Sequence, residues 1–243
     1  MRQNHSPQTS GPRTRSGHDD GPGVPVVRAD TLVIDSAGRR VADGLELTVG
    51  AGEAVAITGP PGSGKTALLN CLAGLARPTS GYVEIAGGRV STMAEDQAAL
   101  YRLTHIGMVY QSDELIPELS VTENLALPAM FAGHTRARDR APHLLTLLGL
   151  DGLGDRAPVD LSHDQCRRVA IARALVCDPA VVLADNPTGA LPEPDADLVT
   201  SALVAACRTR GTALVLATEA PATAARLDRT LFLQHGLLTP YQP

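Results

Sequence analysis

The chain of 243 residues lacks tryptophan and is poor in the other aromatic residues, which make up 2% of the sequence. A hydrophobic core must therefore be built from aliphatic side chains, and the apolar fraction of 44% is enough for a sizeable one. No apolar run reaches the roughly 18 residues that a membrane-spanning helix needs. The net charge of −5 argues against a broad electrostatic surface for nucleic acid, so we expect no nucleic-acid partner.

Cysteine is also scarce, and the four cysteines are scattered with no Cys-x-x-Cys spacing. This usage is typical of reduced packing residues in a cytosolic protein. Residues 1–25 are rich in Ser, Gly, Pro, Arg and His and contain no apolar block, which predicts a disordered tail. We expect one folded domain over residues 26–243.

Lysine is the scarcest charged residue, since Lys65 stands alone among 21 lysine and arginine residues. It lies in the segment Gly59-Pro60-Pro61-Gly62-Ser63-Gly64-Lys65-Thr66, which matches the pattern of a phosphate-binding loop. Arginine cannot replace lysine where a compact ammonium must fit between two phosphates, because its planar fork is wider and more rigid. The segment predicts a nucleoside triphosphate site; the alternative is a glycine-rich turn with one exposed lysine.

The flanking residues support the first interpretation. Residues 54–58 are apolar and β-branched, which predicts a buried strand, and residues 67–76 have the pattern of a helix. Main-chain amides between strand and helix would then face the phosphates, and the helix N-terminus would add partial positive charge. We expect Thr66 to bind Mg²⁺ through its hydroxyl and Lys65 to reach the β- and γ-phosphates of ATP.

The rest of the chain alternates between strand and helix patterns, which indicates a largely parallel sheet with helices on both faces. Ser162 and Gln165 form a capping box that predicts the start of a helix running to about Cys177. Residues 112–159 are predicted to be mostly helical. The predicted strands are 45–49, 82–85, 106–110, 180–185, 212–217 and, as the last, 230–233, with a further helix near 195–208.

Four ordered segments resemble the ATP-binding subunits of ABC transporters: residues 59–66, the Gln111 loop, residues 161–175 and residues 180–191. The resemblance implies an α/β fold, a P-loop NTPase of ABC type. Its core would be a mostly parallel sheet with an antiparallel β edge and a helical subdomain at about residues 112–165. Residues 114–128 look most like the subfamily that serves lipoprotein release and macrolide efflux.

The resemblance also implies the residues of an ATP and Mg²⁺ site. The ATP-binding residues would be Gly59, Pro60, Pro61, Gly62, Ser63, Gly64, Lys65, Thr66, Ala67, Gln111, Ser162 and Gln165. The Mg²⁺ ligands would be Thr66, Gln111 and Asp185, and the catalytic positions Lys65, Asp185, Asn186 and Glu219.

The same resemblance implies partners and a location. Two such subunits, identical or different, would face head to tail, each ATP lying between the phosphate loop of one and the signature helix of the other. Closure of the two subunits on ATP would drive a separate membrane permease. The permease would contact this chain near residues 111–117. The chain would then be cytoplasmic and peripheral on the inner face of the cell membrane.

The chain departs from the family pattern at positions that support hydrolysis. Asn186 stands where the family has the glutamate that deprotonates the attacking water, and an amide cannot accept that proton. Glu219 stands where the family has a histidine that touches the γ-phosphate, and its carboxylate would repel phosphate oxygens. We expect Glu219 to turn away or to be protonated. Pro192 replaces an aspartate and removes an N–H donor.

The signature segment and the adenine side also depart. His163 and Asp164 replace two glycines that let the backbone approach the partner's γ-phosphate, and Asp164 adds negative charge there. The family stacks an aromatic ring on adenine, but no Tyr or Phe precedes Tyr82 in this chain. Ile34 or Asp35 occupies the expected region, which leaves the adenine contact without its usual partner.

These departures favour an ATP-binding transporter subunit whose hydrolysis is slow or absent. A homodimer would carry every defect in both sites, and a heterodimer with a standard subunit would have one damaged half in each. The alternative from another class is a catalytically inactive, nucleotide-responsive scaffold that docks a permease without powering transport. A soluble ABC protein of translation or DNA repair fits less well, because such proteins carry tandem domains or a long coiled-coil insertion.

Overall fold

The structure, a computed structural model, describes residues 24–133, 137–189 and 191–241. The predicted disordered tail lies outside the described residues except for its last two positions, 24 and 25. The strands are β1 (Val27–Ser36), β2 (Arg39–Val49), β3 (Ala54–Thr58), β4 (Ser80–Ile85), β5 (Ile106–Val109), β6 (Val181–Asp185), β7 (Ala213–Ala217), β8 (Arg229–Gln234) and β9 (Leu237–Tyr241).

Helices cover both faces of the larger sheet, and none of the described ones is long and apolar enough to cross a membrane. The helices are α1 (Lys65–Leu72), α2 (Glu95–His105), α3 (Val121–Phe131), α4 (Ala137–Leu147), α5 (His163–Leu175), α6 (Glu193–Arg210) and α7 (Pro221–Ala224).

The larger sheet has six strands in the order β5-β6-β7-β3-β8-β9. All neighbours are parallel except β8 and β9, which pair antiparallel. Every residue of β3 and β7 is buried, as expected for central strands covered on both faces. The smaller sheet is antiparallel, in the order β2-β1-β4. The predicted combination of a mostly parallel core with antiparallel β structure is confirmed.

The core is aliphatic and divides into two layers on opposite faces of the larger sheet. Alternate residues of β6 separate between them: Val182 and Ala184 face one cluster, and Val181 and Leu183 face the other. The first cluster includes buried side chains of α3, α4, α5 and α6. The second includes α1 and the small antiparallel sheet. Helices α1 and α5 therefore lie on opposite faces.

The segment that precedes α3 differs from the prediction, because residues 112–119 are not helical. Helix α3 begins only after Ser120, whose capping box with Glu123 gives the helix a local start. The buried Asn124 side chain accepts from the Ile116 amide at 2.8 Å and donates to carbonyls of Ile116, Leu119 and Ser120. One side chain thus satisfies a loop backbone that would otherwise need helical hydrogen bonds.

Other helix and strand boundaries also differ from the prediction. Helix α1 begins at Lys65, inside the phosphate loop, and ends at Leu72, rather than covering residues 67–76. The strand predicted as last is followed by β9 after a tight turn in which His235 and Gly236 have φ of 51° and 80°. Strand β1 and helix α2 were not predicted. The four cysteines are free, and Cys71, Cys177 and Cys207 are buried, in agreement with packing roles.

Candidate nucleotide-binding site

Three parallel neighbours of the larger sheet end at the same edge. There β3 leads into the phosphate loop, residues 59–66, while β7 leads to Glu219 and β6 ends at Asp185. Parallel strands place their carboxyl ends together, so polar residues distant in the chain meet at this edge. This edge of the sheet therefore carries Lys65, Asp185, Asn186 and Glu219, the four positions that the family resemblance implies to be catalytic.

The backbone of the phosphate loop needs its glycines. Gly64 has φ of 106°, and a Cβ there would lie 2.7 Å from the Val41 Cβ. Gly59 has φ of 154°, and a Cβ there would lie 2.4 Å from the Leu233 carbonyl oxygen. The loop is thus closed against β2 and β8 by contacts that leave no room for a side chain.

The loop has unused polar groups that fit a phosphate. The Ser63 hydroxyl is buried and has no hydrogen-bond partner among the described residues. Helix α1 has no side-chain cap and no acidic residue in its first turn. Its first amides are therefore open to an anion, and the helix dipole favours negative charge there. These features fit the β- and γ-phosphates of a nucleotide.

The Lys65 side chain is 9% exposed and folds back along the loop. Its Nζ donates to the carbonyl oxygens of Gly59 at 2.8 Å and Pro60 at 3.0 Å. It also donates to Oε1 of Glu219 at 3.1 Å. Glu219 thus neither turns away into solvent nor sits alone, since its carboxylate is paired with the ammonium that the sequence assigns to phosphate.

Asp185 and Asn186 occupy the neighbouring strand end. Asp185 is half-buried and pairs in register with Ala217 of β7. The Asn186 amide donates to the Ala217 carbonyl at 2.8 Å, and its φ of 45° turns the chain away from the sheet. Its side chain lies against Gly189, where an added Cβ would come within 2.2 Å of Nδ2. Both the backbone N–H and the side-chain amide of Asn186 are therefore held in place by the turn that follows β6.

The Mg²⁺ ligands expected from the sequence come from separate elements. Thr66 is exposed at the start of α1, and Gln111 follows β5, three strands from β3. Strand spacings of about 4.8 Å separate the Gln111 backbone from that of β3 by roughly 14 Å. Among the described residues no group of three His, Cys, Asp or Glu could hold a metal. A hydroxyl, a carboxylate and an amide oxygen with nucleotide phosphates do suit Mg²⁺.

The start of α5 has its predicted cap. The Ser162 amide donates to Gln165 Oε1 at 3.0 Å, and the Gln165 amide donates to Ser162 Oγ at 3.4 Å. The Ser162 hydroxyl in turn donates to Oδ1 of Asp164. Both remaining polar side chains of the signature are thus used within the chain.

Asp164 also accepts from Arg168 at 2.6 Å, one turn along the helix. Burial acts to raise the pKa of Asp164, but the hydrogen bonds from Ser162 and Arg168 outweigh it, and the pKa lies below its ordinary value. The group is a carboxylate at neutral pH. Because α5 and α1 are on opposite faces of the sheet, Ser162 and Gln165 are not brought to Lys65 of the same chain.

A buried arginine joins α5 to the Gln111 loop. Arg167 donates through Nη1 to the carbonyls of Tyr110 at 2.9 Å and Gln111 at 2.7 Å, and its Nε lies 3.1 Å from Asp113. Sequence reasoning did not assign this residue a role. Its signal in the sequence is an arginine at the start of a helix face that continues with Ala170, Ile171 and Ala174.

The structure places Ile34 and Asp35, the residues expected on the adenine side, outside the lining of the cavity at the phosphate loop. A cavity of about 310 Å³ lies beside the phosphate loop, and its outer wall is formed by Ser36, Ala37, Arg39 and Val41. Ile34 is buried in the core, and Asp35 pairs with Arg40 at 3.2 Å and accepts from Thr79 at 2.9 Å. Neither predicted residue lines the cavity. Arg39, which sequence reasoning missed, does.

A second depression, here called the apolar groove, lies on the surface between α2, α3 and α5. It has a volume of about 410 Å³ and is lined in part by Leu103, Leu127, Phe131 and Glu114. Beside it Met130 and Phe131 are 65% and 73% exposed. A patch of large apolar side chains in solvent is typical of an interaction surface.

Comparison with known proteins gives a family match over the central part of the chain. The family model described as ABC transporter matches residues 42–189, which include the phosphate loop, the Gln111 loop, the start of α5 and the end of β6.

Curated relatives carry one recurring name, lipoprotein-releasing system ATP-binding protein LolD. The protein of this name from Chromohalobacter salexigens is 43% identical over 82% of this chain and 85% of its own length. That from Xanthomonas campestris is 40% identical over 91% of this chain and 95% of its own length.

Solved structures share the fold. The ATP-binding cassette MJ0796, solved as a dimer in a post-hydrolysis state bound to ADP and Pi, is similar with a TM-score of 0.76 and 31% identity. The match covers 87% of this chain and 96% of that one. A cassette of a cbiONQ transporter complex from Clostridium perfringens has a TM-score of 0.80 at 24% identity, over 88% of this chain and 86% of that one, which shows the fold alone.

Proposed function

The chain belongs to the ABC transporter family, and we propose that it binds Mg-ATP at the phosphate loop and couples that binding to a separate membrane permease. The observation that carries the proposal is the loop itself. Gly59 and Gly64 are packed against Leu233 and Val41, and the Ser63 hydroxyl has no partner among the described residues. Such a loop has little structural reason to be built this way unless an anion occupies it.

Each group of the loop has a role in holding the nucleotide. Main-chain amides of residues 64–66 would bind the phosphates, and Lys65 would move its ammonium from the loop carbonyls onto the β- and γ-phosphates. Thr66, Gln111 and Asp185 would hold Mg²⁺, which would partly neutralise the phosphate charge. The cavity walled by Arg39 and Val41 receives the nucleoside.

Hydrolysis is proposed to be slow or absent. Asn186 can orient water but cannot take its proton, and the loss of a general base typically slows a reaction about 10²–10⁴-fold. The position of Asn186 supports this, because its side chain is wedged against Gly189 and its amide is bonded to Ala217. The chain is then a subunit driven mainly by nucleotide binding.

The active assembly is proposed to contain two cassettes, either two copies of this chain or this chain and a standard subunit. The need for a second cassette is supported by the opposite-face placement of α1 and α5. Asp164 would stand at the shared interface with its charge intact, since it accepts from Ser162 and Arg168. In either assembly, each ATP site has at least one side, the phosphate-loop side or the signature-helix side, that departs from the family pattern.

The permease is proposed to dock in the apolar groove, and to be of the lipoprotein-release and macrolide-efflux type. The groove lies beside Glu114, within the segment expected at this contact, and displays Met130 and Phe131. The subfamily is supported by relatives named for lipoprotein release at 40–43% identity. In such a complex the chain is peripheral on the inner face of the cell membrane.

The substitution Phe131→Glu in the apolar groove should abolish copurification of the chain with the permease. The substitution Leu237→Glu on β9 should leave copurification unchanged.

The proposal is tested with the purified full chain. Titration with Mg-ATP should give saturable binding, and Lys65→Ala should weaken it at least 100-fold while the variant still unfolds in a cooperative thermal transition. Phosphate release should stay far below about ten turnovers per second, the median for enzymes. Turnover near that median would contradict slow hydrolysis, and absence of binding in both proteins would contradict the nucleotide site.

The second candidate is a nucleotide-responsive scaffold that does not power transport. It is favoured by the engagement of both Lys65 and Ser162 with carboxylates of the same chain. Transport by the whole complex separates the two candidates. A powering subunit loses transport with Lys65→Ala, while a scaffold retains it.

A further inference from the structure

The ammonium of Lys65 has all its donors in use. An ammonium carries three N–H donors, and here they meet Gly59 O, Pro60 O and Glu219 Oε1 at 2.8, 3.0 and 3.1 Å. The two carbonyls are neutral, and Glu219 supplies the one negative charge. Among the described residues it is the single carboxylate paired with Lys65.

The position of Glu219 is set by its backbone rather than by chance contact of a long side chain. Thr218 before it is fully buried, and its amide donates to the Ile57 carbonyl of β3 at 3.0 Å. The Thr218 hydroxyl accepts from the Ala220 amide at 3.1 Å and closes the turn around Glu219. The glutamate is therefore anchored beside the phosphate loop, although it lies 154 residues away in the chain.

The side chain is nevertheless free to leave. Glu219 is 48% exposed, while Lys65 is 9% exposed. A phosphate entering the loop can displace the carboxylate into solvent without disturbing the core. After displacement the backbone anchor keeps that charge near the site.

The direction of the bound nucleotide decides which phosphate meets Glu219. The nucleoside cavity is walled by Arg39 and Val41 together with the start of α1, and Glu219 is not among its lining residues. Strand β7 lies between β3 and β6, so Glu219 stands between the loop and Asp185. A phosphate chain that runs from the cavity toward Asp185 brings its last phosphate closest to Glu219.

We propose that Glu219 is a selectivity residue of the nucleotide site, which disfavours a nucleoside triphosphate relative to a diphosphate. Both ligands must displace the carboxylate from Lys65, and that cost is common to them. Only the triphosphate places a γ-phosphate beside the displaced carboxylate, where like charges repel. The inference rests on the proposed function, because it requires nucleotide at the phosphate loop.

The test is calorimetric titration of the full chain with Mg-ATP and with Mg-ADP. Glu219→Gln keeps the size of the side chain and one acceptor oxygen and removes its charge. Relative to the parent chain, its ratio of Kd for ATP to Kd for ADP should fall about tenfold. Glu46→Gln, an exposed position on β2 outside the site, removes the same charge and should leave the ratio unchanged.

The outcomes distinguish this inference from the proposed function. If Lys65→Ala abolishes binding but Glu219→Gln leaves the ratio unchanged, or strengthens both ligands equally, selectivity by Glu219 is wrong and the nucleotide site stands. If the parent chain binds only ADP and Glu219→Gln gains ATP, the inference is supported. If parent, Glu219→Gln and Glu219→Ala all melt normally and bind neither nucleotide, both conclusions fail.

Discussion

The phosphate loop of one cassette and the start of α5 of its partner are the two regions proposed to contact one triphosphate, and they differ in whether the fold itself requires glycine there. In the phosphate loop, Gly59 and Gly64 are required by the chain's own fold, since an added Cβ would meet Leu233 or Val41. At the start of α5, His163 and Asp164 have ordinary helical backbone and a side chain fits. A glycine needed only for a partner's approach can be lost without cost to the fold, whereas one needed inside the chain cannot.

The largest expected effect on stability comes from the substitution Gly64→Ala, which tests whether the fold itself requires this glycine. Gly64→Ala places a Cβ against Val41 at a φ of 106°, which should destabilise the protein by about 2–4 kcal/mol through strain and overpacking. Mg-ATP affinity should fall on the order of 100-fold. Gly87→Ala, with φ of 83° and no atom near its Cβ, should cost only about 1 kcal/mol. Urea unfolding and calorimetry measure both. Equal effects at the two glycines would break the comparison.

A comparable effect is expected from restoring the family residues outside the phosphate loop. Asn186→Glu alone should raise phosphate release less than about tenfold, because Glu219 and Asp164 still oppose the reacting phosphate. With Asp164→Gly and Glu219→His added, release should rise about 10²–10⁴-fold, the contribution of a general base. A coupled phosphate assay measures the rates, and Lys65→Ala in the restored chain is the control. Full rescue by Asn186→Glu alone would show that the other departures are harmless.

A smaller effect concerns the stability that Asp164 gives to its own helix. Asp164→Asn should lower the free energy of unfolding by about 1 kcal/mol at pH 7, through loss of the Arg168 pair and of a negative charge in the first turn. Because the folded pKa of Asp164 is lowered, its stabilisation is present above the unfolded pKa of about 3.9. It is lost as pH falls through the lower folded value.

Urea unfolding of the two proteins from pH 7 to pH 3 measures this dependence. Their difference should be constant down to about pH 4 and shrink below it. Asp155→Asn, at an exposed position, should show no such difference. A difference that grows on acidification would contradict the assignment of Asp164 as a stabilising carboxylate. Mg-ATP affinity of the isolated chain should not change, since α5 lies across the sheet from the loop.

The smallest effect is expected on the nucleoside side. Arg39 lines the cavity, whereas its neighbour Arg40 is held by Asp35 and Asp43 at 3.2 and 3.3 Å. A guanidinium that stacks on a base contributes about 0.5–1 kcal/mol at an exposed site. Arg39→Ala should therefore weaken Mg-ATP about two- to fivefold, and Arg40→Ala should not. If both arginines proved neutral in the titration, the cavity wall would have no part in binding the base.

The features predicted correctly from sequence are those whose cause is local. The phosphate loop follows from a short glycine pattern, and the start of α5 follows from the capping box of Ser162 and Gln165. Buried strands β3, β6 and β7 follow from uninterrupted aliphatic runs. The family pattern then predicted the mixed sheet as a whole.

The features missed depend on contacts between distant residues. The Lys65–Glu219 pair joins two strand ends whose adjacency exists only in the folded sheet. The loop before α3 looks helical by composition, but Asn124 holds it in a non-helical conformation through hydrogen bonds that no periodicity signals. The sequence pointed to Ile34 and Asp35 of β1 for the adenine side, whereas the cavity beside the loop is lined by Arg39 at the start of β2, the neighbouring strand.

The solitary lysine has a practical consequence for chemistry on the intact protein. Apart from the terminal amine, an acylating reagent finds a single side-chain amine in 243 residues, and that amine lies 9% exposed within the loop. Covalent labelling of lysine side chains thus modifies one position, Lys65, without protein engineering. The rate at which a reactive probe modifies Lys65 then measures occupancy of the phosphate loop. A ligand that binds the ammonium slows the modification, and a change that releases the ammonium from its partners speeds it.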